Sequence, residues 1–151
     1  MAAMEPLCRL IGINPAYLTK EENYLLEAEL LRSICIELRE IFRIRYKDFF
    51  RFIKFSKEKE NGMLERNFVS LVIKDILASG QYTIQGFAQY ADTHEDVIHE
   101  VISGLNTNPS ALLLRRVIDL HRVVRSDLYD EIIKKITIYY LDLVTKNERN
   151  H

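Results

Sequence analysis

Two cysteines, three prolines and five glycines are all that this 151-residue chain contains of those types. Cys8 and Cys35 stand alone and fit no metal or redox spacing. Each therefore reads as a reduced thiol, with Cys35 expected as a small core residue. No uninterrupted apolar run of about eighteen residues occurs, so no segment is expected to span a bilayer. Residues 1–20 lack a charged start followed by a sustained apolar run. No secretory signal is expected, and cytoplasmic residence is the default. A large net charge is also lacking, at −1 with 48% hydrophobic residues. Disorder needs the opposite balance, so the chain is expected to fold.

The most informative absence is local. From Asp75 to Leu114 there are five acids and no Lys or Arg. From Arg39 to Lys59, eight Lys/Arg stand against three acids. Arg115, Arg116, Arg122 and Arg125 then accompany Asp119 alone. The near-neutral total conceals a polarised layout, and the functional question turns on it.

Periodicity points to helices. Thr19 stands three residues before Glu22, a capping-box signature. The series Tyr24, Ala28, Leu31, Cys35, Leu38, Phe42, Tyr46, Phe49 and Ile53 then advances by threes and fours, one face of a long helix. Leu25, Leu26, Leu30, Ile34, Ile41 and Phe50 widen that stripe, which suits burial in the domain, against a second subunit, or both. Residues 42–47 alternate as a strand would, but lie within the helical register. Ser56–Gly62 has no apolar residue and is expected to be a loop and the domain boundary. This divides the chain into a helical region, 1–60, for dimerisation or interaction, and a second domain, 63–146.

In the second part, Phe68, Val69, Val72, Ile73, Ile76 and Leu77 make a helix closed at Ser79-Gly80. Thr83 opens the next, Asp92-Thr93 form a tight turn, and a helix follows from about His94 to Ser103. Gly104 ends it, Asn106–Pro109 is a loop, and Ser110 caps a helix through Leu120. Ser126 opens the last one. The segment YTIQGFAQYADTHEDVIHEVISGLNTNPS resembles the DNA-binding domain of phage-repressor (Cro-like, lambda-repressor-like) regulators, over about Asn67 to His121. Ala88 occupies the small position where the two motif helices touch, and Asp92 the turn four residues on. Ile98 and Gly104 follow at ten and sixteen, and Pro109-Ser110 make the restart. The resemblance implies an all-α, lambda-repressor-like helix-turn-helix bundle, here with a long N-terminal helical extension and an extra C-terminal helix.

It also implies roles. Thr93, His94, Glu95, Asp96 and His99 would read base edges in the major groove. Thr83, Gln85 and the loop Asn106, Thr107 and Asn108 would hold phosphates. Arg39, Arg43, Lys47 and Arg51, four apart on a helix, would add phosphate contacts; a solvated face or the chain's own acidic segment are the other readings of that stripe. The expected partner is double-stranded DNA, bound by a homodimer that acts as a non-enzymatic regulator. Glu95, Asp96 and Glu100 on the reading helix support an alternative, a protein-interaction module that kept the scaffold and lost DNA. No cofactor or metal is expected. His94 and His99 lie about 140° apart around a helix and cannot share an ion. His121 reads as partly buried or exposed rather than as a base, and the Phe-rich stretch 49–55 as core rather than a membrane-surface face.

Overall fold

A computed structural model describes Cys8, Gly12 and residues 14–149. Among the described residues all regular structure is helical: a 3₁₀ turn at Pro15–Tyr17 precedes α1 (Lys20–Arg45), α2 (Lys47–Phe52), α3 (Lys57–Arg66), α4 (Phe68–Ala78), α5 (Ile84–Tyr90), α6 (Glu95–Ser103), α7 (Ala111–Val124) and α8 (Ser126–Arg149). No described helix is long and apolar enough to cross a membrane. The chain groups into two compact units, residues 1–37 with 127–151, and residues 38–126. This grouping differs from the division at residues 60–63 expected from sequence.

The first unit is built on the start of α1 and nearly all of α8. Thr19 and Glu22 cap α1 reciprocally: the Glu22 amide donates to Thr19 Oγ1 and the Thr19 amide to Glu22 Oε1, both at 3.1 Å. Tyr140 donates its hydroxyl to Glu29 at 3.3 Å, and Lys135 pairs with Glu37 at 2.9 Å. Those pairings run in opposite chain directions, so the helices are antiparallel. Leu30 and Ile34 from α1, with Tyr129, Ile132, Ile133 and Ile136 from α8, supply the buried apolar side chains. Cys8 is fully buried, which raises its thiol pKa. Cys35, expected in the core, is only half-buried.

In the second unit α4 is the central element, packed on α3, α6 and α7. Its sequence FVSLVIKDILA is apolar around most of its circumference, and Phe68, Val69, Leu71, Val72, Ile73 and Ile76 are all buried. A helix apolar on every side must be enclosed. Leu113, Val117, Ile118 and Leu120 of α7 close one side, and Ile98 and Val101 of α6 another. At about 1.5–3 kcal/mol for each large aliphatic side chain removed from water, this layer dominates the unit's stability. Phe68 also meets Phe42 edge-on, with ring centroids 6.2 Å apart.

Three sequence expectations are corrected here. Residues 56–62 are not a loop: Ser56 Oγ accepts the Lys59 amide and opens α3. Lys, Glu and Met favour helix, and Leu64 is the one side chain of this helix that is buried. The long helix turns at Tyr46, so the stretch 42–47 is helical through Arg45 and the basic stripe is divided between α1 and α2. Of the aromatic stretch, Phe50 is buried, but Phe49 and Phe52 face solvent.

The acidic helix pair and the buried carboxylate

Thr83 starts α5 by accepting the Gly86 amide on Oγ1 at 3.0 Å. Nine residues after Thr83, Asp92 takes a left-handed backbone, φ 52°, which Asp tolerates better than branched residues do. The Thr93 amide folds back onto the Ala88 carbonyl at 3.0 Å. Ala88 is buried, as α5 and α6 pack together there. The second helix ends at Gly104, φ 84°, where a β-carbon would be strained, and the Asn106 amide closes onto the Glu100 carbonyl. Pro109 is half-buried, and Ser110 caps α7 through the Leu113 amide.

Two bonds from neighbouring helices fix this pair. Ser70 on α4 donates its hydroxyl to the Ile102 carbonyl at 3.2 Å, satisfying an acceptor near the end of α6. Arg116 on α7 donates to the Ala91 carbonyl at 2.6 Å and so holds the turn from below. Arg116 is thus engaged by backbone, a role not visible in its membership of a basic cluster.

The expected base-reading residues lie together at the outer start of α6. Thr93 is half-buried; His94, Glu95, Asp96 and His99 are exposed, as is Glu100. No side-chain hydrogen bond caps α6 at His94; instead Glu95 and Asp96 complement the positive end of its dipole. Among the described residues no cation forms an ion pair with Glu95, Asp96 or Glu100. The expected phosphate contacts Thr83, Gln85, Thr107 and Asn108 are exposed, but Thr83 Oγ1 serves as a cap and Asn106 Oδ1 accepts the Asn108 amide.

The basic stripe is largely engaged elsewhere. Arg39 pairs with Glu65 at 3.1 Å. Arg43 pairs with Glu40 at 3.2 Å, approaches Glu60 at 3.9 Å, and donates to Asn61. Lys47 and Arg51 are exposed and without ion pairs among the described residues. No bond among the described residues joins the stripe to α6.

Arg45, Arg125 and His121 converge on Asp75, which is 8% exposed on α4. His121 Nε2 lies 2.7 Å from Asp75 Oδ2, Arg45 Nη1 is 3.1 Å from Oδ1, and Arg125 Nε is 3.3 Å from Oδ2. Arg125 also donates to the Asp75 carbonyl at 3.3 Å. Burial is the largest influence on the carboxyl and would raise its pKa, but the His121 hydrogen bond and the positive charge around it bring the pKa below the ordinary value. His121, expected to be partly buried or exposed, has no exposed surface, and burial lowers its pKa despite Asp75. It is neutral at pH 7 and donates from Nε2 to the carboxylate. The cluster ties α1, α4 and α7 together. Sequence reading missed it, although His121 continues the buried series Leu113, Val117 at spacing four.

Among the described residues no three His, Cys, Asp or Glu side chains converge as metal ligands. No protein-family model, curated protein or solved structure matches the chain.

Proposed function

We propose that this protein is a non-enzymatic interaction module on a lambda-repressor-like helix-turn-helix scaffold, whose exposed α6 face docks a basic protein surface. The carrying observation is the charge of that face: Glu95, Asp96 and Glu100 point outward with no cation paired to them among the described residues. Affinity for a duplex comes mainly from Lys and Arg neutralising phosphates. Of the cations that could offset these acids, Arg39 and Arg43 are bound to Glu40, Glu60 and Glu65, Arg45 and Arg125 to Asp75, and Arg116 to the Ala91 carbonyl; no bond among the described residues brings Lys47 or Arg51 to α6. Carboxylates facing phosphate would repel it; facing Lys or Arg they give complementary association.

A second reading, a DNA-binding regulator, is favoured by the turn geometry itself. Asp92 in the left-handed region, buried Ala88 and Ile98, and Gly104 at the helix end agree with the motif of DNA-reading relatives of the phage-repressor kind. In both readings the protein acts as a dimer through the first unit, where Tyr24, Leu25, Ile138 and Tyr139 are exposed. Light scattering should give twice the chain mass; a monomer at high concentration removes that part.

Fluorescence anisotropy separates the two readings. Labelled random duplex DNA should show no binding up to tens of micromolar protein at low salt, while a lysine-rich peptide should bind and be released as salt rises. Salt-sensitive DNA binding at roughly micromolar protein would overturn the interaction reading in favour of the regulator.

A further inference from the structure

Lys47, Arg51 and Lys54 surround an open groove of about 590 Å³ together with Arg43, Ile44, Phe50, Phe55 and Glu60. Arg43 is held by its acids, whereas Lys47, Arg51 and Lys54 have no ion pair among the described residues. Lys54 ends α2 in a left-handed backbone, φ 54°, uncommon for a lysine, and that turn brings it to the same groove as Lys47 and Arg51. Ile44 of the groove is 72% exposed, and Phe52 and Phe49 of the same short segment are 85% and 49% exposed. The floor is firm, since Phe50 is buried and stacks on Phe55 at 5.9 Å.

We propose that α2 and its flanks, residues 44–54, form a peripheral docking surface for an anionic lipid bilayer. Exposed aromatics and unpaired cations within eleven residues match the two halves of a membrane interface: Phe49, Phe52 and Ile44 enter the headgroup boundary, and Lys47, Arg51 and Lys54 remain at the phosphates. Charge complementarity identifies an anionic surface, and the aromatics identify which kind. Duplex nucleic acid would engage the cations through its phosphates but, with its bases stacked inside, would leave Phe49 and Phe52 in water. An acidic protein would have to bury the lysines, whereas a bilayer lets them stay hydrated.

Sedimentation of the full-length protein with vesicles tests the assignment. It should bind vesicles containing phosphatidylserine, not pure phosphatidylcholine ones, and release as salt rises. Lys47→Gln and Arg51→Gln should each weaken binding about five-fold. Phe49→Ser with Phe52→Ser should weaken it about tenfold or more, with the native helical spectrum retained because Phe52 is largely and Phe49 half exposed. Absence of binding to the anionic vesicles overturns the proposal. It is equally overturned if the double Phe variant binds vesicles as the parent does; retained heparin binding in that variant would then assign the groove to soluble polyanions such as nucleic acid.

Discussion

Asp75 and the carboxylates of α6 belong to one segment without Lys or Arg, yet they have opposite surroundings. Asp75 is buried and met by Arg45, Arg125 and neutral His121. Glu95, Asp96 and Glu100 stand in water with no cation paired among the described residues. A local charge count therefore says little by itself. Folding brings cations from distant α1 and α7 to one acid of the run, where a carboxylate removed from water needs partners. It leaves the others to solvent, where they cost little unless a phosphate approaches them.

The largest effect should come from the buried side of this comparison. Asp75→Ala leaves buried His121 without its acceptor while the part-exposed Arg45 and Arg125 turn to water, and should cost about 1–3 kcal/mol. In a chain of this length that corresponds to a fall in thermal midpoint of roughly 2–12 °C. Calorimetry showing a loss below about 1 kcal/mol would mean that the cluster is solvated rather than structural.

Acid should weaken the same cluster in two stages. The folded pKa of His121 lies below its ordinary 6.5, so the unfolded chain takes up that proton first and stability declines as pH falls from there. The folded pKa of Asp75 lies below 3.8, so its contribution is complete above that value and is lost as pH falls through the lower folded one. A midpoint flat from roughly pH 7 to pH 5 contradicts the first stage. In His121→Gln only the lower stage should remain.

On the exposed side, Glu95→Lys with Asp96→Lys should destabilise by only about 0.3–1 kcal/mol per residue, through the helix dipole. A larger loss in a urea titration would show that these acids hold the fold rather than serve a surface. The smallest effect is a gain. A β-carbon on Gly86 would meet Thr83 Oγ1 at an ordinary 3.4 Å, so Gly86→Ala should stabilise by about 0.5–1 kcal/mol. A loss would mean that α5 cannot accommodate even a methyl group.

The parts of this architecture legible in the sequence are those set by nearest neighbours in the chain. Thr19, Thr83 and Ser110 cap helices, and Gly80 and Gly104 lie at positive φ, because capping and chain reversal depend on residues a few positions apart. Helix α3 is not legible from apolar periodicity, because residues 56–62 carry no apolar side chain. A solvated helix needs few of them, and Ser56 before Lys-Glu-Lys-Glu was the available signal. The Asp75–His121 pair spans 46 positions, and no spacing rule connects residues so far apart. Exposure of Phe49 and Phe52 was hidden for a related reason: periodicity finds the apolar face but not the length of it that a partner element covers. Of the candidate recognition surface, the outward acids could be read directly. The engagement of Arg39, Arg43, Arg45, Arg116 and Arg125 needed the fold.

If charge rather than shape keeps α6 from a duplex, reversing its three acids should create duplex binding. Anisotropy of labelled random duplex DNA at low salt, with the natural chain beside Glu95→Lys/Asp96→Lys/Glu100→Lys, addresses it directly. The natural chain should not bind, and the reversed variant should bind in a salt-sensitive way. Binding by the natural chain, equal to that of the variant, would contradict it.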